Sequence, residues 1–240
     1  MTELFNTISA RRSKLEKSAF IRLLSNTSED VNARLAYVPD MLYFIMGFKD
    51  ILQELQVEPT RDAIQAEVNE HCQEDNGHWK WFLRDLEAMQ LKNNYLKQPH
   101  FQLFSHLWSD KNYVIRDVVY HTLYYAKMAP TSAHKMIILE VIEAVFSVYV
   151  AHMTVLVNQL GKYEEWKFFG RVHYEAENGH TNGSWLDGRK TAVKVETSMP
   201  SADKALAISI INGMFDKFEA MFECWHEKQL QVLSVDKLVV

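Results

Sequence analysis

MIILEVIEAVFSVYVAHMTVL, residues 136–156, is the stretch of sequence that decides the fold. A membrane-spanning helix needs about 20 consecutive apolar residues, and this stretch alone in the chain approaches that length. However, Glu140, Glu143 and His152 interrupt it, and ionisable groups inside a bilayer are costly. The stretch therefore predicts a buried helix at the centre of a globular protein.

The rest of the chain spaces its apolar residues with helical rather than alternating periodicity. Turn formers are scarce, with 8 Gly and 5 Pro in 240 residues. Helix boundaries fall near Pro59, Pro99 and Pro130, because the residue before a proline avoids helical geometry. We predict an all-α domain over residues 1–240, with about seven or eight helices, at residues 2–25, 29–56, 60–91, 100–107, 111–128, 132–160, 162–181 and 201–232.

Charge and cysteine content narrow the classes of function. The formal net charge is −5 and the isoelectric point is near 6.1, so nucleic acid and anionic membrane surfaces are not expected partners. Cys72 and Cys224 are the only cysteines, which is too few for a disulfide framework or a multi-thiolate metal site. The N-terminus has no apolar stretch typical of a secretory signal. These features favour a reducing, cytoplasmic location.

Two clusters of histidine and glutamate carry the candidate chemistry. His71, Glu74 and His78 are spaced at i, i+3 and i+7, and His173, Glu177 and His180 at i, i+4 and i+7. At 3.6 residues per turn, each set projects within a sector of roughly 60°. Imidazole nitrogens and carboxylate oxygens without sulfur favour iron or manganese over other metals. The spacing predicts a metal site shared by two helices.

A third helix is expected to contribute to the same site. Glu140 and Glu143 are the acidic residues of the apolar 136–156 stretch, and a buried ionised acid is costly unless it is paired or bound to metal. Glu143 is the first choice, because the small Ala144 beside it permits close helix approach; Glu140 is the alternative. The remaining histidines are interpreted as structural: His100, His106, His121, His134, His152 and His226.

A ferritin-like bundle is the second candidate for the fold. That design needs Glu-x-x-His on two helices and a single glutamate on two others. Glu177 with His180 and Glu223 with His226 fit the short motif. The residues between them, largely the turn-rich stretch 182–200, leave no room for the intervening helix, so this fold ranks lower.

The string HCQEDNGHWKWFLRDLE, residues 71–87, resembles a motif of iron-containing redox enzymes in the heme-oxygenase-like superfamily. Di-iron oxidases and oxygenases of that superfamily carry Glu-x6-His, a glutamate on a middle helix, and then His-x3-(Asp/Glu)-x2-His. The last motif matches His173, Glu177 and His180. The first departs from the pattern, since His71 stands where those enzymes have glutamate. Either Glu74 supplies the missing carboxylate, or the site holds a single ion.

The resemblance implies a heme-oxygenase-like (TenA/PqqC-type) helical bundle holding one or two iron ions, with manganese as the alternative metal. It implies an oxidase or oxygenase that activates O2 to oxidise a small organic substrate. Heme is not expected, because no histidine precedes His71 where heme oxygenases carry their proximal ligand. Trp79 and Tyr174 adjoin the candidate ligands and are expected in the pocket wall or behind the ligands. An aromatic-rich helical surface, together with the habit of the superfamily, favours a homodimer.

Two other classes of function stay open at this point. The same polar residues could form a metal-free site of the TenA or PqqC type, which binds a heterocycle and moves protons. TenA-like hydrolysis needs a cysteine nucleophile on a mid-chain helix, and neither cysteine lies there. The third class is a non-catalytic helical protein that binds a partner.

Overall fold

The structure is a computed structural model that describes residues 3–60, 62–89, 91, 100–176, 195 and 199–236. Within these residues it is all-helical and contains no strand, which confirms the predicted all-α class. The helices are α1 (Glu3–Glu16), α2 (Ala19–Leu24), α3 (Val31–Arg34), α4 (Met41–Leu55), α5 (Ala63–Asp75), α6 (His78–Ala88), α7 (His100–Leu107), α8 (Tyr113–Met128), α9 (Ser132–Gln159) and α10 (Ser201–Asp236).

Helix α9 contains the decisive apolar stretch and lies at the centre of the fold. It packs against α1, α2, α5, α8 and α10. By length and composition it could cross a membrane, but 78% of its most apolar window is buried inside the protein. Each buried aliphatic side chain contributes about 1.5–3 kcal/mol by leaving water. Its packing confirms the predicted core helix, and Glu140 and Glu143 lie among its buried residues.

The first two predicted helices are each divided in the structure, because local capping groups interrupt them. Predicted helix 2–25 is broken before Ser18, whose hydroxyl accepts the backbone N–H of Ile21 at 3.3 Å and starts α2. Predicted helix 29–56 begins with α3, which is capped by Asp30. A short 3-10 turn, Val38–Asp40, follows α3 and contains Pro39. Proline lacks an N–H donor and is tolerated only in a first helical turn.

Predicted helix 60–91 also consists of two helices, and this break bears on the site. Asp62 caps α5, accepting the backbone N–H of Gln65 at 2.9 Å. Helix α5 ends at Asp75, and α6 begins at His78 after Asn76 and Gly77. Glycine lowers the stability of a helix interior, so a break here is favoured. His78 consequently points in a direction set by α6 rather than by α5.

Predicted helix 162–181 is wrong over its first nine residues. Gly161, with φ +67°, ends α9 in the left-handed conformation that glycine favours at such positions. Turns and bends follow, and residues 171–176 are helical. The backbone N–H groups of Lys167, Phe168 and Phe169 donate to the carboxylate of Asp85. These donors are therefore unavailable to helical carbonyl groups.

Candidate metal centre

His71, Asp75 and Glu143 bring three ligand-type side chains together between α5 and α9. His71 Nε2 lies 3.2 Å from Oδ2 of Asp75 and 3.1 Å from Oε1 of Glu143. One donor atom from each residue lies within 4.8 Å of the others. The Asp75 and Glu143 side chains are only 2% and 5% exposed. One buried point is thus surrounded by one nitrogen and two carboxylate donors.

The local sequence explains why these side chains meet. Helix α5 buries Val68 and Cys72 against the core and packs on α9. Ala144, next to Glu143 on α9, is completely buried, and its small side chain is compatible with the close approach of α5. The carboxylate of Glu143 can then reach across to His71.

The electrostatics of the cluster centre on His71. Burial by itself lowers the pKa of His71, but the hydrogen bonds and charges of Asp75 and Glu143 outweigh that effect and raise it to about 11. The ring is therefore protonated at neutral pH and neutralises part of the carboxylate charge. Two carboxylates buried together require such a cation, because an uncompensated buried charge costs several kcal/mol.

Two further imidazoles, His78 and His173, lie beside this group and are both buried. Their ring centroids are 4.7 Å apart in an edge-to-face arrangement. His78 Nδ1 is 3.6 Å from Oδ1 of Asp75, which is an ion-pair distance rather than a hydrogen bond. Trp81 stacks on the His78 ring at 4.6 Å. His78 of the first predicted cluster and His173 of the second are therefore neighbours in space.

The orientation of His173 is set by its backbone surroundings. Its Nδ1 lies 2.8 Å from the carbonyl oxygen of Phe168, and a carbonyl can only accept, so Nδ1 carries the hydrogen. Metal-binding histidines commonly donate one ring hydrogen to a carbonyl oxygen in this way and use the other nitrogen, here Nε2, as the ligand atom. Phe168 also stacks on the ring at 4.5 Å. Asp85 holds this segment, because it accepts the N–H of Phe168 at 2.7 Å.

A small cavity of about 30 Å³ joins the two groups. Such a volume holds a water molecule or an ion but no organic molecule. Four polar side chains and six apolar or aromatic side chains line it. The lining residues are Asp75, His78, Glu143 and His173, with Trp79, Ile45, Phe48, Ile142, Phe146 and Phe168.

The predicted ligand residues differ in where the structure puts them. His71, His78, Glu143 and His173 come together around the cavity and the carboxylate pair. Glu74 is exposed and is not part of the converging group. Glu177 and His180 lie outside the described residues. On α9, Glu143 rather than Glu140 contacts His71, although both glutamates are buried.

Asp75 is the site residue that the sequence analysis missed. The buried face of α5 contains Cys72. At 3.6 residues per turn, Asp75 lies about 60° from Cys72 around the helix, whereas Glu74 lies about 160° away. The apolar face of α5 therefore predicts an inward Asp75 and an outward Glu74. Of the two expected wall residues, Trp79 lines the cavity, while Tyr174 packs against Tyr163 with centroids 6.4 Å apart.

The histidines interpreted as structural have ordinary partners wherever their side chains are described. His106 pairs with the buried Asp40, and His121 with Asp117 at 3.0 Å. The side chain of His100 lies outside the described part of the chain. The other contacts are His134 with Thr131 at 2.8 Å, His152 with Ser25 at 2.6 Å and His226 with Gln229 at 3.4 Å.

Comparison with known proteins finds no protein-family model that matches the chain and no curated protein that matches it significantly. The fold and the set of side chains that could bind a metal therefore define the class of protein. It is an all-helical protein with a buried cluster of one histidine, one aspartate and one glutamate that could hold a metal ion. Two further buried histidines adjoin that cluster.

Proposed function

We propose that this protein is a non-heme iron oxidase or oxygenase with a heme-oxygenase-like helical fold. In this proposal it uses O2 to oxidise a small organic substrate. The observation that carries the proposal is the convergence of His71, Asp75 and Glu143 within 4.8 Å. His78 and His173 adjoin them at the same cavity. Bound iron would supply the redox chemistry that lets O2 react with an organic molecule.

The donor set fits iron on chemical grounds. Carboxylate and imidazole ligands suit iron and manganese, whereas zinc and copper sites more often include thiolates or several imidazoles. The cluster includes no thiolate, although Cys72 adjoins His71 in sequence. Burial is the largest cause that raises the pKa of the Cys72 thiol, and nearby Asp75 raises it further, to about 12. In the metal-free protein the thiol is therefore neutral at neutral pH, and Cys72 is not part of the converging group.

The ligand assignment follows from charge and position. Asp75 and Glu143 would hold the cation directly, with His71 as a nitrogen ligand once its proton has left. His78 and His173 would complete the set for one ion or contribute to a second. Because metal ligands must be deprotonated, metal uptake would release the proton of His71. Binding would then weaken as the pH falls.

The surrounding side chains have supporting roles. Phe146, Phe168 and Trp79 form an apolar wall on the cavity, which keeps bulk water from the carboxylates. A drier surrounding strengthens each electrostatic interaction inside it. Asp85 fixes the segment that orients His173. These residues would exclude water and position ligands, while the organic substrate would have to enter by displacing part of the wall.

A metal-free site is the second candidate, because one observation favours it. Oδ2 of Asp75 and Oε1 of Glu143 each already contact the imidazolium of His71, at 3.2 and 3.1 Å. Such a group can hold and transfer a proton without a metal, as a TenA- or PqqC-type enzyme would require. In that case the protein would not contain a stoichiometric amount of iron, and its enzymatic activity would survive treatment with a chelator.

Iron binding by matched variants distinguishes the two candidates. Protein expressed with added iron, and apoprotein titrated anaerobically with Fe(II), should contain one or two equivalents by elemental analysis. Glu143→Gln should lose most of this iron, because it removes a buried charged ligand. Glu140→Gln is the matched control, since it alters a buried glutamate about one turn away, and it should retain iron.

Histidine variants provide an independent test. His78→Ala should reduce iron content, whereas His226→Ala on α10 should not. Circular dichroism would verify that each variant keeps its helical content. The iron proposal is wrong if well-folded wild-type protein binds no iron, or if Glu143→Gln and Glu140→Gln retain equal amounts.

The proposal extends to partners and location. Both cysteines are free thiols, and we expect a reducing, cytoplasmic compartment. O2 and a small organic molecule are the proposed reactants. Manganese is the alternative metal, and heme is not expected. No nucleic-acid or membrane partner is proposed, since the net charge of −5 lacks a basic excess.

A further inference from the structure

Helices α7 and α8 present a set of exposed aromatic side chains, which we call the aromatic face. Large hydrophobic residues on protein surfaces are normally scattered, but here they follow one another along two consecutive helices. Each is between 45% and 67% exposed. The aromatic face consists of Phe101, Phe104 and Trp108 at α7, and Tyr113, Tyr120, Tyr124 and Met128 on α8.

Helical spacing makes these side chains neighbours. On α8, Tyr120, Tyr124 and Met128 follow one another at intervals of four residues, so they form a stripe along one side of the helix. Tyr43 of α4 connects this stripe to the end of α7. Its ring contacts Trp108 at a centroid distance of 5.5 Å and Tyr120 at 6.3 Å.

The size of the aromatic face exceeds what an isolated monomer normally exposes. A Phe, Tyr or Trp side chain carries about 150–250 Å² of surface. With roughly half exposed, the seven residues together present on the order of 700 Å². The largest apolar patch of a typical monomer is about 300–600 Å², whereas each partner in a standard interface buries about 800 Å². The area therefore matches one side of a stable dimer.

The charge pattern favours a second copy of the same chain as the partner. Asp117 lies within the α8 stripe, but Lys217 at 2.7 Å and His121 at 3.0 Å already pair with it. A two-fold interface buries the same surface on both copies, so a charged side chain without a partner in that surface would be desolvated on each side. The residues of the aromatic face carry no charge, and depletion of charge with enrichment in Tyr, Trp, Phe and Met is typical of interface cores.

We propose that two copies of this chain form a two-fold symmetric dimer by packing their aromatic faces together. The proposal is independent of the iron proposal, because it uses none of the candidate ligands. Sequence alone favours a homodimer without locating its interface. The structure assigns that interface to α7 and α8.

Sedimentation velocity over about 1–100 μM protein tests the proposal. Wild-type protein should sediment as a dimer of 28.0 kDa chains. Tyr124→Glu places a charge within the stripe, and Phe104→Glu does the same on α7. Each should raise the dimer dissociation constant by about 30-fold or more, which corresponds to the roughly 2 kcal/mol that defines an interface hot spot.

Val155→Glu is the matched control, because Val155 is an exposed apolar residue of α9, 52% exposed. It should leave the dimer unchanged. Unchanged circular dichroism would show that the α7 and α8 variants remain folded. The proposal is overturned if the wild type is monomeric at 100 μM, if both variants dimerise as the wild type does, or if Val155→Glu dissociates the dimer equally. A wild-type monomer that binds lipid vesicles would also overturn it.

Discussion

Replacement of Asp85 tests how the chain holds His173 in place. Asp85 is only 2% exposed. Its Oδ1 accepts the N–H of Lys167 at 3.0 Å, and its Oδ2 accepts those of Phe168 at 2.7 Å and Phe169 at 3.1 Å. The carbonyl of Phe168 in turn accepts the Nδ1 hydrogen of His173. Loss of the carboxylate should therefore release the segment and displace the imidazole.

The expected loss in the free energy of unfolding follows from the number of hydrogen bonds that each replacement of Asp85 removes. Asparagine can keep the two bonds to one oxygen, but its NH2 group would face the N–H of Lys167. Burial raises the pKa of Asp85 more than the backbone N–H groups lower it, so the cost of burying the charge limits what these hydrogen bonds contribute to stability. We expect Asp85→Asn to lower the free energy of unfolding by about 2 kcal/mol. Asp85→Ala leaves three donors unsatisfied and should lower it by about 3–5 kcal/mol.

Urea unfolding followed by circular dichroism measures these changes, provided that the unfolding free energy falls with urea concentration at the same slope in the wild type and the variants. Glu87→Ala is the control, because Glu87 is exposed on the same helix, two residues from Asp85. It should change the unfolding free energy by less than about 0.5 kcal/mol. An Asp85→Ala protein as stable as Glu87→Ala would refute the assigned role, and unchanged iron affinity would refute the link to His173.

Two other predictions concern the same region. In metal-free protein, His71→Gln should lose stability in a pH-dependent way, because neighbouring carboxylates raise the pKa of His71 from 6.5 to about 11. The advantage of the wild type should be complete below pH 6.5 and disappear between pH 6.5 and 11, as urea midpoints at several pH values would reveal. Gly170→Ala should destabilise the protein by about 3 kcal/mol or more, because a Cβ there would clash with two backbone carbonyl oxygens. Gly77→Ala has no atom within 4 Å of the new Cβ and should leave the thermal midpoint unchanged or slightly raised.

The parts of the fold that sequence analysis predicted correctly depend on local patterns. The apolar run around Glu140 and Glu143 identifies a core helix, because the two glutamates would be costly inside a bilayer. The start of α9, predicted at residue 132, agrees with Ser132, since Pro130 limits the choices. Periodicity and proline positions are properties of a few neighbouring residues, so they can be interpreted without knowledge of the tertiary structure.

The parts that were missed depend on contacts between distant residues. The helix predicted from residue 162 fails because Asp85, more than 80 positions earlier, captures its N–H groups. The sequence analysis missed Asp75 because Glu74 and Asp75 follow His71 at i+3 and i+4, two spacings that both bring a side chain near it on a helix, and only the burial of Cys72 decides between them. The break after Asp75 also ends the regular geometry on which the angular argument for His78 depended.

The contact between His71 and Glu143 has a consequence for the dynamics of the chain. It joins residues that are 72 positions apart, so it closes a long loop in the manner of a reversible cross-link. Closing such a loop removes chain entropy from the partly opened states. Helix α9 is buried on most of its length, and its amide hydrogens should exchange only when the whole protein unfolds. Helix α5 is shorter and opens more readily. If the contact between His71 and Glu143 is strong, the amide hydrogens of α5 should exchange together with those of α9, as one cooperative unit. If the contact is weak, they should exchange separately.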